Sequence, residues 1–367
     1  MAIKNRIMTK RVYTKIVGTG SYIPTRVIGN DYFRDYTFFD AHTKKPLEKS
    51  NDEIIQKFQE ITNISERRYI TDDMNNSDMA TLAVRDACQS SGIDPETLDF
   101  IIVAHNFGDV DPVSTRVDIL PSLANRVKAK LGIANPACFC HDLISGCPGW
   151  TQGMITADAY IRSGISKRGV VVGTDVLSRI SDLHDRDTMI YADGAGATIV
   201  EAIESDEPTG ILSHSSRSDS VNFWNLLTNG KSFNPDFEGN DQFIKMAGHK
   251  LYVYALTYVP GVVKDSLDKA DLHLNDVKKV LLHQANEKMD EAILKNVFKL
   301  YNEKNIPEGI MPMSIDKLGN SSTATVPTLL DTILKGRMDG QSINSGDHII
   351  LASVGAGMNI NSIVYKW

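Results

Sequence analysis

Six stretches carry apolar and β-branched residues in nearly unbroken runs: "YTKIVGTGSYI", "LDFIIVAHN", "GVVVGTDVL", "GAGATIVEAI", "VKKVLLHQA" and "HIILASVGAG". A strand with one wet face alternates apolar and polar positions, so continuous runs predict strands covered on both faces. Helical spacing lies between them. In "SDMATLAVRDACQSSG", Leu82, Ala83, Ala87 and Cys88 recur on one face, with Ser77 and Asp78 near the start and Gly92 at the end, which predicts a capped helix. Strands alternating with helices predict an α/β protein.

The pattern repeats weakly. "TLDFIIVAHN" is echoed by "DVKKVLLHQA", and "DGAGATIVEAI" by "VGAGMNINSIVY". A repeat of strand and glycine turn predicts a duplicated α/β half, giving an α-β-α-β-α sandwich of two similar lobes. The first copy is longer, and "NFGDVDPVSTRVDILPS" with its acidic and turn residues is the natural place for part of the insertion.

At 367 residues, with 42% hydrophobic and 23% charged positions, the chain is long enough to bury a large two-lobed core. Its net charge of -7 argues against general nucleic-acid binding, which needs clustered Lys and Arg to neutralise phosphate. The N-terminus "MAIKNRIMTKRVYTKIVGTG" is basic but lacks the apolar run of a signal peptide,. No segment has the uninterrupted apolar length of a membrane span. Cys88, Cys138, Cys140 and Cys147 are too few to staple a chain of this size, so a reducing, cytoplasmic setting is expected.

Three of those cysteines and His141 crowd into "ACFCHDLISGCPGW". Their types suit zinc, but C-x-C followed by a distant third Cys is not the paired spacing of a zinc knuckle, so no metal is expected. A strand through "ANPACFCHDLISG" turns Cys138 and Cys140 to the same face as buried filler. Cys147 stands apart, between a glycine turn and the helical stretch "PGWTQGMITADAYIRSG". Pro148 suits the first helical position, which makes Cys147 the N-cap, where unsatisfied N–H groups and the helix dipole favour a thiolate. A buried structural Cys is the plainer alternative.

A nucleophilic thiol needs partners on other loops. His283 in "VLLHQANEKM" follows an apolar strand, and Asn320 in "DKLGNSSTATVP" sits in a glycine turn, with Ser321, Ser322 and Thr323 available as helix caps,. "ASVGAGMN" offers a glycine turn whose N–H groups suit an oxyanion,. Singly, a strand-end His or an Asn after Gly is more often structural.

Together these residues resemble the β-ketoacyl-acyl-carrier-protein synthase III family of the thiolase superfamily. "IVGTGSYIPTRVIGN" is similar to the family's opening strand, "ISERRYI" to its Gly-Ile-x-Glu-Arg segment and "DLISGCPGW" to its nucleophile loop. "GTDVLSRISDLHDRDTMIYADGAGATIVE", "HQAN" and "LGNSSTATVP" follow in the family's order. The resemblance implies a five-layer α-β-α-β-α thiolase-like sandwich, with residues 1-204 as the half carrying the Cys and 205-367 as the half carrying His and Asn. It implies Cys147 as acyl acceptor, His283 and Asn320 as donors to a thioester oxygen, and the N–H groups of Cys147 and Ala356 as an oxyanion hole. It also implies a homodimer, an acyl-CoA or acyl-carrier-protein donor, malonyl-carrier-protein as extender and no cofactor.

Departures from the family's pattern bear on the substrate. "NDEIIQKFQEITNI" puts Ile54 where the family stacks a Trp on adenine, His249 in "KMAGHKLY" stands where many members have Asn, and Lys288 in "HQANEKM" replaces an Arg facing the carrier protein. Leu120 and Pro121 fall where the family shapes its acyl pocket across the dimer. The alternatives are a specialised ketosynthase of alkylresorcinol-type lipids using longer donors, and a non-catalytic acyl-binding partner that has kept the fold. A hydroxymethylglutaryl-CoA synthase would need a Glu base ahead of the nucleophile, and none is obvious.

Overall fold

The unbroken apolar runs become the strands of two central sheets in the computed structural model, which describes residues 10–367. The basic residues 1–9 of the N-terminal segment lie outside the described residues. The first sheet contains β1 (Arg11–Tyr22), β2 (Phe100–Ala104), β3 (Phe139–Leu143), β4 (Arg168–Val176) and β5 (Asp193–Ser205), in the spatial order β1-β5-β4-β2-β3. Here β2 runs parallel to β3 and β4, while β5 is antiparallel to β1 and β4. The second sheet contains β6 (Gly210–Ser218), β7 (Val277–Leu282), β8 (His348–Gly355) and β9 (Asn359–Lys366), in the order β6-β9-β8-β7. Its β7 and β8 are parallel and β9 is antiparallel to both neighbours. The four strands repeat β1, β5, β4 and β2 in order and direction, so the duplication read from the sequence is the architecture.

Among the described residues, seven helices of eight residues or more build the other layers: α1 (Asn51–Thr62), α2 (Asn76–Ser91), α3 (Leu123–Leu131), α4 (Gly149–Arg162), α5 (Gly248–Lys269), α6 (Glu287–Leu300) and α7 (Thr325–Leu334). α4 and α7 lie between the sheets. Trp150, Met154, Val326, Leu329 and Leu330 from these helices pack against Ile102 and Val171 on one side and Leu281, Ile349, Leu351 and Ile363 on the other. The runs lack alternation because both faces are covered: α2 and α3 close the outer face of the first sheet, and α5 and α6 that of the second. Each fully buried aliphatic side chain in these layers contributes about 1.5–3 kcal/mol.

The predicted helix over "SDMATLAVRDACQSSG" is α2. Asn75 caps it through Asp78, and Gly92 ends it in the left-handed conformation at φ +68°, where a Cβ would strain. The segment expected to hold part of the first-half insertion forms a small hairpin, Asp109–Val110 paired with Val117–Asp118. Strands β3, β6 and β9 were not readable as apolar runs, because "FCHDL", "GILSHSSRS" and "NINSIVYK" mix polar residues into edge or sheet positions.

Candidate active site

The carboxyl ends of β2, β3, β4, β7 and β8 converge, which is where open α/β sheets bind ligands. β3 ends at Leu143, and the chain turns through Gly146 at φ +64° to Cys147 before α4 begins. β8 ends at Gly355 and turns to Ala356. These two turns touch: a Cβ at Gly146 would meet Ala356 N at 2.7 Å, and one at Gly355 would meet Cys147 N and Pro148 Cδ at 2.7 Å. Only glycine allows this approach, since the atoms met are backbone or ring atoms that cannot swing away.

His283 follows β7 and is buried, its backbone N–H donating to Ala352 O at 2.9 Å. Its Nδ1 lies 2.7 Å from Thr325 Oγ1. Burial lowers its pKa to about 4, outweighing a hydrogen bond with the Ser322 backbone, so the imidazole is neutral at physiological pH.

Asn320 is buried in the turn before α7 and is held on both sides of its backbone. Its N–H donates to Ile190 O at 2.9 Å, and its C=O accepts from Ala192 N at 2.9 Å. The turn is braced from the "ISERRYI" segment: Ser65 N–H and Oγ both donate to Asp316 O, at 3.0 and 2.7 Å. Gly319, at φ +64°, lies against Arg67, whose Cβ a side chain there would meet at 2.8 Å. Arg67 is fully buried, donating to Ile28 O and Asn30 Oδ1 and lying over the Phe33 ring. Asn320 Oδ1 accepts from Ser322 N at 2.8 Å, which turns its Nδ2 away from the turn.

Ser322 brings the three groups together. It is a non-glycine residue at φ +52°, a conformation that needs support from its surroundings. Its N–H goes to Asn320, its Oγ donates to Cys147 Sγ at 3.3 Å, and its C=O accepts from Thr325 Oγ1 at 3.1 Å. Thr325 in turn contacts His283. Sequence reading treated Ser321, Ser322 and Thr323 as helix caps, but α7 starts at Thr325 with no side-chain cap. Thr323 Oγ1 instead donates to Asp175 Oδ2 at 2.9 Å.

The thiol itself departs from the expectation. Pro148, not Cys147, occupies the N-cap of α4, and Cys147 lies one residue before it. The Gly149 N–H turns back to Gly146 O at 2.9 Å, so it is not available to the sulfur. Burial pushes the thiol up to about 11, with the Ser322 hydrogen bond opposing and the Asp175 charge adding. Desolvation outweighs the helix dipole here. This acid has a folded pKa above the value of 9 expected in the unfolded chain, so the stability it contributes is present below pH 9 and is lost between 9 and 11. Accordingly, alkylation of Cys147 by iodoacetamide is expected to be slow at pH 7 and to keep rising past pH 9, read by peptide mass; a plateau below pH 8 contradicts it.

The other expected site residues scatter. Ile54 in α1 is buried with Ile28, Phe33, Phe38, Tyr69 and Met189, so it is a core residue rather than a surface contact for a ligand. His249 and Lys288 are exposed in the first turns of α5 and α6. The Glu60 carboxyl is held below its usual range by Lys57 and, less strongly, by Lys288. Leu120 is 86% exposed and lines nothing in its own chain. Cys138 packs with the outer cluster on α2 and α3, beside the half-buried Cys140, and among the described residues no group of three or more metal-ligating side chains forms. The sequence reading missed Asn106 and Asp175. The signal available was an acidic residue inside the apolar strand "GVVVGTDVL", since a buried carboxylate demands partners.

A thiol at a strand-turn-helix elbow, closed by a second glycine turn and set in duplicated α/β halves, defines a thiolase-fold acyltransferase. Residues 141–220 match the model of 3-oxoacyl-[acyl-carrier-protein] synthase III, and residues 267–367 its C-terminal model. The chain is 33% identical to β-ketoacyl-[acyl-carrier-protein] synthase III 1 of Vibrio parahaemolyticus, covering 97% of this chain and 100% of the relative. It is 31% identical to the synthase III of Xanthomonas campestris, over 98% and 100%. The crystal structure of the synthase III of Aquifex aeolicus superposes with a TM-score of 0.77 at 28% identity, covering 96% of this chain and all of that one. The chain belongs to the β-ketoacyl-acyl-carrier-protein synthase III family of condensing acyltransferases.

Proposed function

We propose that this enzyme transfers an acyl group from a thioester donor to Cys147 and condenses it with a malonyl thioester in fatty acid or related lipid synthesis. One observation carries the assignment: Cys147, His283 and Asn320, from three distant stretches of chain, meet around the Ser322 turn. In the first step the Cys147 sulfur attacks the donor carbonyl carbon, the new C–S bond replaces the old one, and the departing thiolate takes up the proton lost from Cys147. The N–H groups of Cys147 and Ala356, on touching glycine turns, hold the oxyanion.

In the second step the malonyl C–C bond breaks to release CO₂, leaving its electron pair as an enolate. Asn320 Nδ2 and neutral His283 donate to the enolate oxygen, and the carbanion attacks the acyl carbon and expels the Cys147 thiolate. Donation from His283 Nε2 requires Nδ1 to be the acceptor, so the single Thr325 hydroxyl hydrogen, within reach of both Ser322 O at 3.1 Å and Nδ1 at 2.7 Å, turns to Nδ1 for this step,. These steps use no metal or redox cofactor, and the substrates are an acyl-CoA or acyl-carrier-protein donor with malonyl-carrier-protein.

The carrier protein is the proposed macromolecular partner, with exposed Lys288 offering charge to an acidic surface and His249 near the entrance. Homodimerisation is supported by edge strand β3 and by exposed Val113, Val117, Ile119, Leu120 and Ile144, which would place Leu120 beside the partner's acyl pocket. The four cysteines are free, which suits a reducing cytoplasm, and no described helix is long and apolar enough to cross a membrane. We place the boundary between halves at 204/205, by the last residue of β5 at Ser205 and ahead of β6 at Gly210.

A second reading, a specialised ketosynthase loaded by longer acyl-carrier-protein donors, is favoured by Ile54, whose burial leaves no aromatic face for adenine. Intact-protein mass after incubation with acyl-CoA and acyl-carrier-protein donors of graded length tests both. A short acyl-CoA adduct mapped to Cys147 supports a primary starter enzyme, a long acyl-carrier-protein adduct supports the specialised one, and no adduct from any donor sinks the acyl-enzyme mechanism.

A further inference from the structure

Behind the Ser322 hydroxyl lies a chain of polar groups that the chemistry proposed for Cys147, His283 and Asn320 does not use. Asn106 follows β2 by two residues. Its N–H donates to Asp175 Oδ1 at 2.8 Å, and its Nδ2 donates both to Asp175 Oδ2 at 2.8 Å and to Ser322 Oγ at 2.9 Å. With both amide hydrogens committed, the amide cannot turn over without setting its oxygen against the carboxylate. Ser322 Oγ receives one of those hydrogens, so its own hydrogen points elsewhere, and Cys147 Sγ lies 3.3 Å away.

Asp175, at the end of β4, is fully buried. It accepts from Thr323 Oγ1 at 2.9 Å and Thr323 N at 3.3 Å as well as from Asn106. Four donors converge on two oxygens, an arrangement that suits the acceptor-only carboxylate and leaves a protonated acid nothing to donate to. The turn that presents Asn106 is itself fixed: His105 Nε2 lies 3.0 Å from Asp142 Oδ2, while its Nδ1 accepts Gly108 N–H at 2.9 Å.

We propose that Asp175, Asn106 and Ser322 form an oriented hydrogen-bond chain whose last O–H meets the Cys147 sulfur and stabilises its thiolate as the proton leaves. Asp175 alone repels a thiolate, but Asn106 and Ser322 interpose two dipoles, both with their positive ends toward the sulfur. Ser322 acts on the reacting atom, and Asn106 and Asp175 are positioning residues. The other titratable groups near the thiol are Tyr191, ahead of β5, and neutral His283 after β7, with His105 behind Asp175. The proposal rests on Cys147 being the acyl acceptor, yet its test reads the thiol without any substrate, so the two can fail separately.

The experiment is the pH profile of iodoacetamide alkylation of Cys147, followed by mass, in the full-length protein. Ser322→Ala and Ser322→Gly both keep the backbone N–H on Asn320, and glycine also suits φ +52°. Each is expected to move the profile up by about one pH unit, so alkylation on the rising limb slows about tenfold, the size of one hydrogen bond to a charged group. Asn106→Ala, which lies outside the turn, should shift the profile the same way, and combining it with Ser322→Ala should add nothing further. Native circular dichroism and thermal midpoint qualify each variant, and Asn106→Ala carries the test if the turn variants fold poorly. An unshifted profile in folded variants, or shifts that add in the double variant, overturns the chain.

Discussion

Cys147→Ala is expected to lose condensation by at least about 10³-fold while the protein stays folded, because deleting a covalent nucleophile removes the step rather than slowing it. The fold should tolerate the change: Cys147 is half-buried, and alanine forfeits two contacts of the sulfur, the Ser322 hydroxyl and its own backbone N–H. The variant should take up no acyl adduct, seen as an unshifted intact mass with every donor. It retains His283, Asn320 and their supports, so slow release of CO₂ from the malonyl thioester is expected to continue. Condensation within tenfold of the parent enzyme, or an adduct of unchanged yield, would place the nucleophile elsewhere.

His283→Ala is expected to give the opposite division. The acyl adduct on Cys147 should persist, while condensation falls by about 10²- to 10³-fold, the usual loss on removing one donor to a developing oxyanion. Loss of both half-reactions to the same extent would mean that His283 serves the thiol instead of the enolate. The same variant has a stability signature. His283 is buried with its pKa lowered from 6.5 to about 4, so between those values the unfolded chain binds a proton that the folded chain refuses, and stability falls as pH falls. The full difference amounts to roughly 3 kcal/mol at pH 4. Asp187 and Asp193 act in the reverse sense, since burial raises them to about 7 and about 6, but they are common to both proteins. Urea unfolding at pH 7 and at pH 4.5 should therefore show a smaller acid loss in His283→Ala than in the parent. An equal loss removes His283 as its source.

Much of this was legible along the chain because it is local. A strand covered on both faces must be apolar at every position, so the six runs marked strands without reference to any partner. Gly146, Gly319 and Gly355 announced sharp turns, and Cys147, His283 and Asn320 lie beside such turns or strand ends, where side chains reach a cleft. Their type and order carried the family resemblance, and the repeat of β2 and β7 carried the two-lobed architecture. Local signals also misled. The helix after Cys147 suggested a stabilised thiolate from the dipole of its first turn, a one-dimensional argument that knows nothing of what covers the sulfur.

The sequence by itself determined which segments are strands, where the chain must turn, and which reactive groups are available. The tertiary structure alone decided the state of those groups. Cys147 is held protonated because packing around the half-buried residue desolvates its sulfur, Ile54 is a core residue because α1 turns it inward, and Ser322 adopts a left-handed backbone because Asn320, Cys147 and Thr325 each claim one of its atoms. Asn106 and Ser322 are separated by 216 residues, and Asp175 and Thr323 by 148. No periodicity links positions so far apart. Hydrogen bonding and desolvation depend on distances in space, and those are fixed only when both sheets have closed over the helices between them.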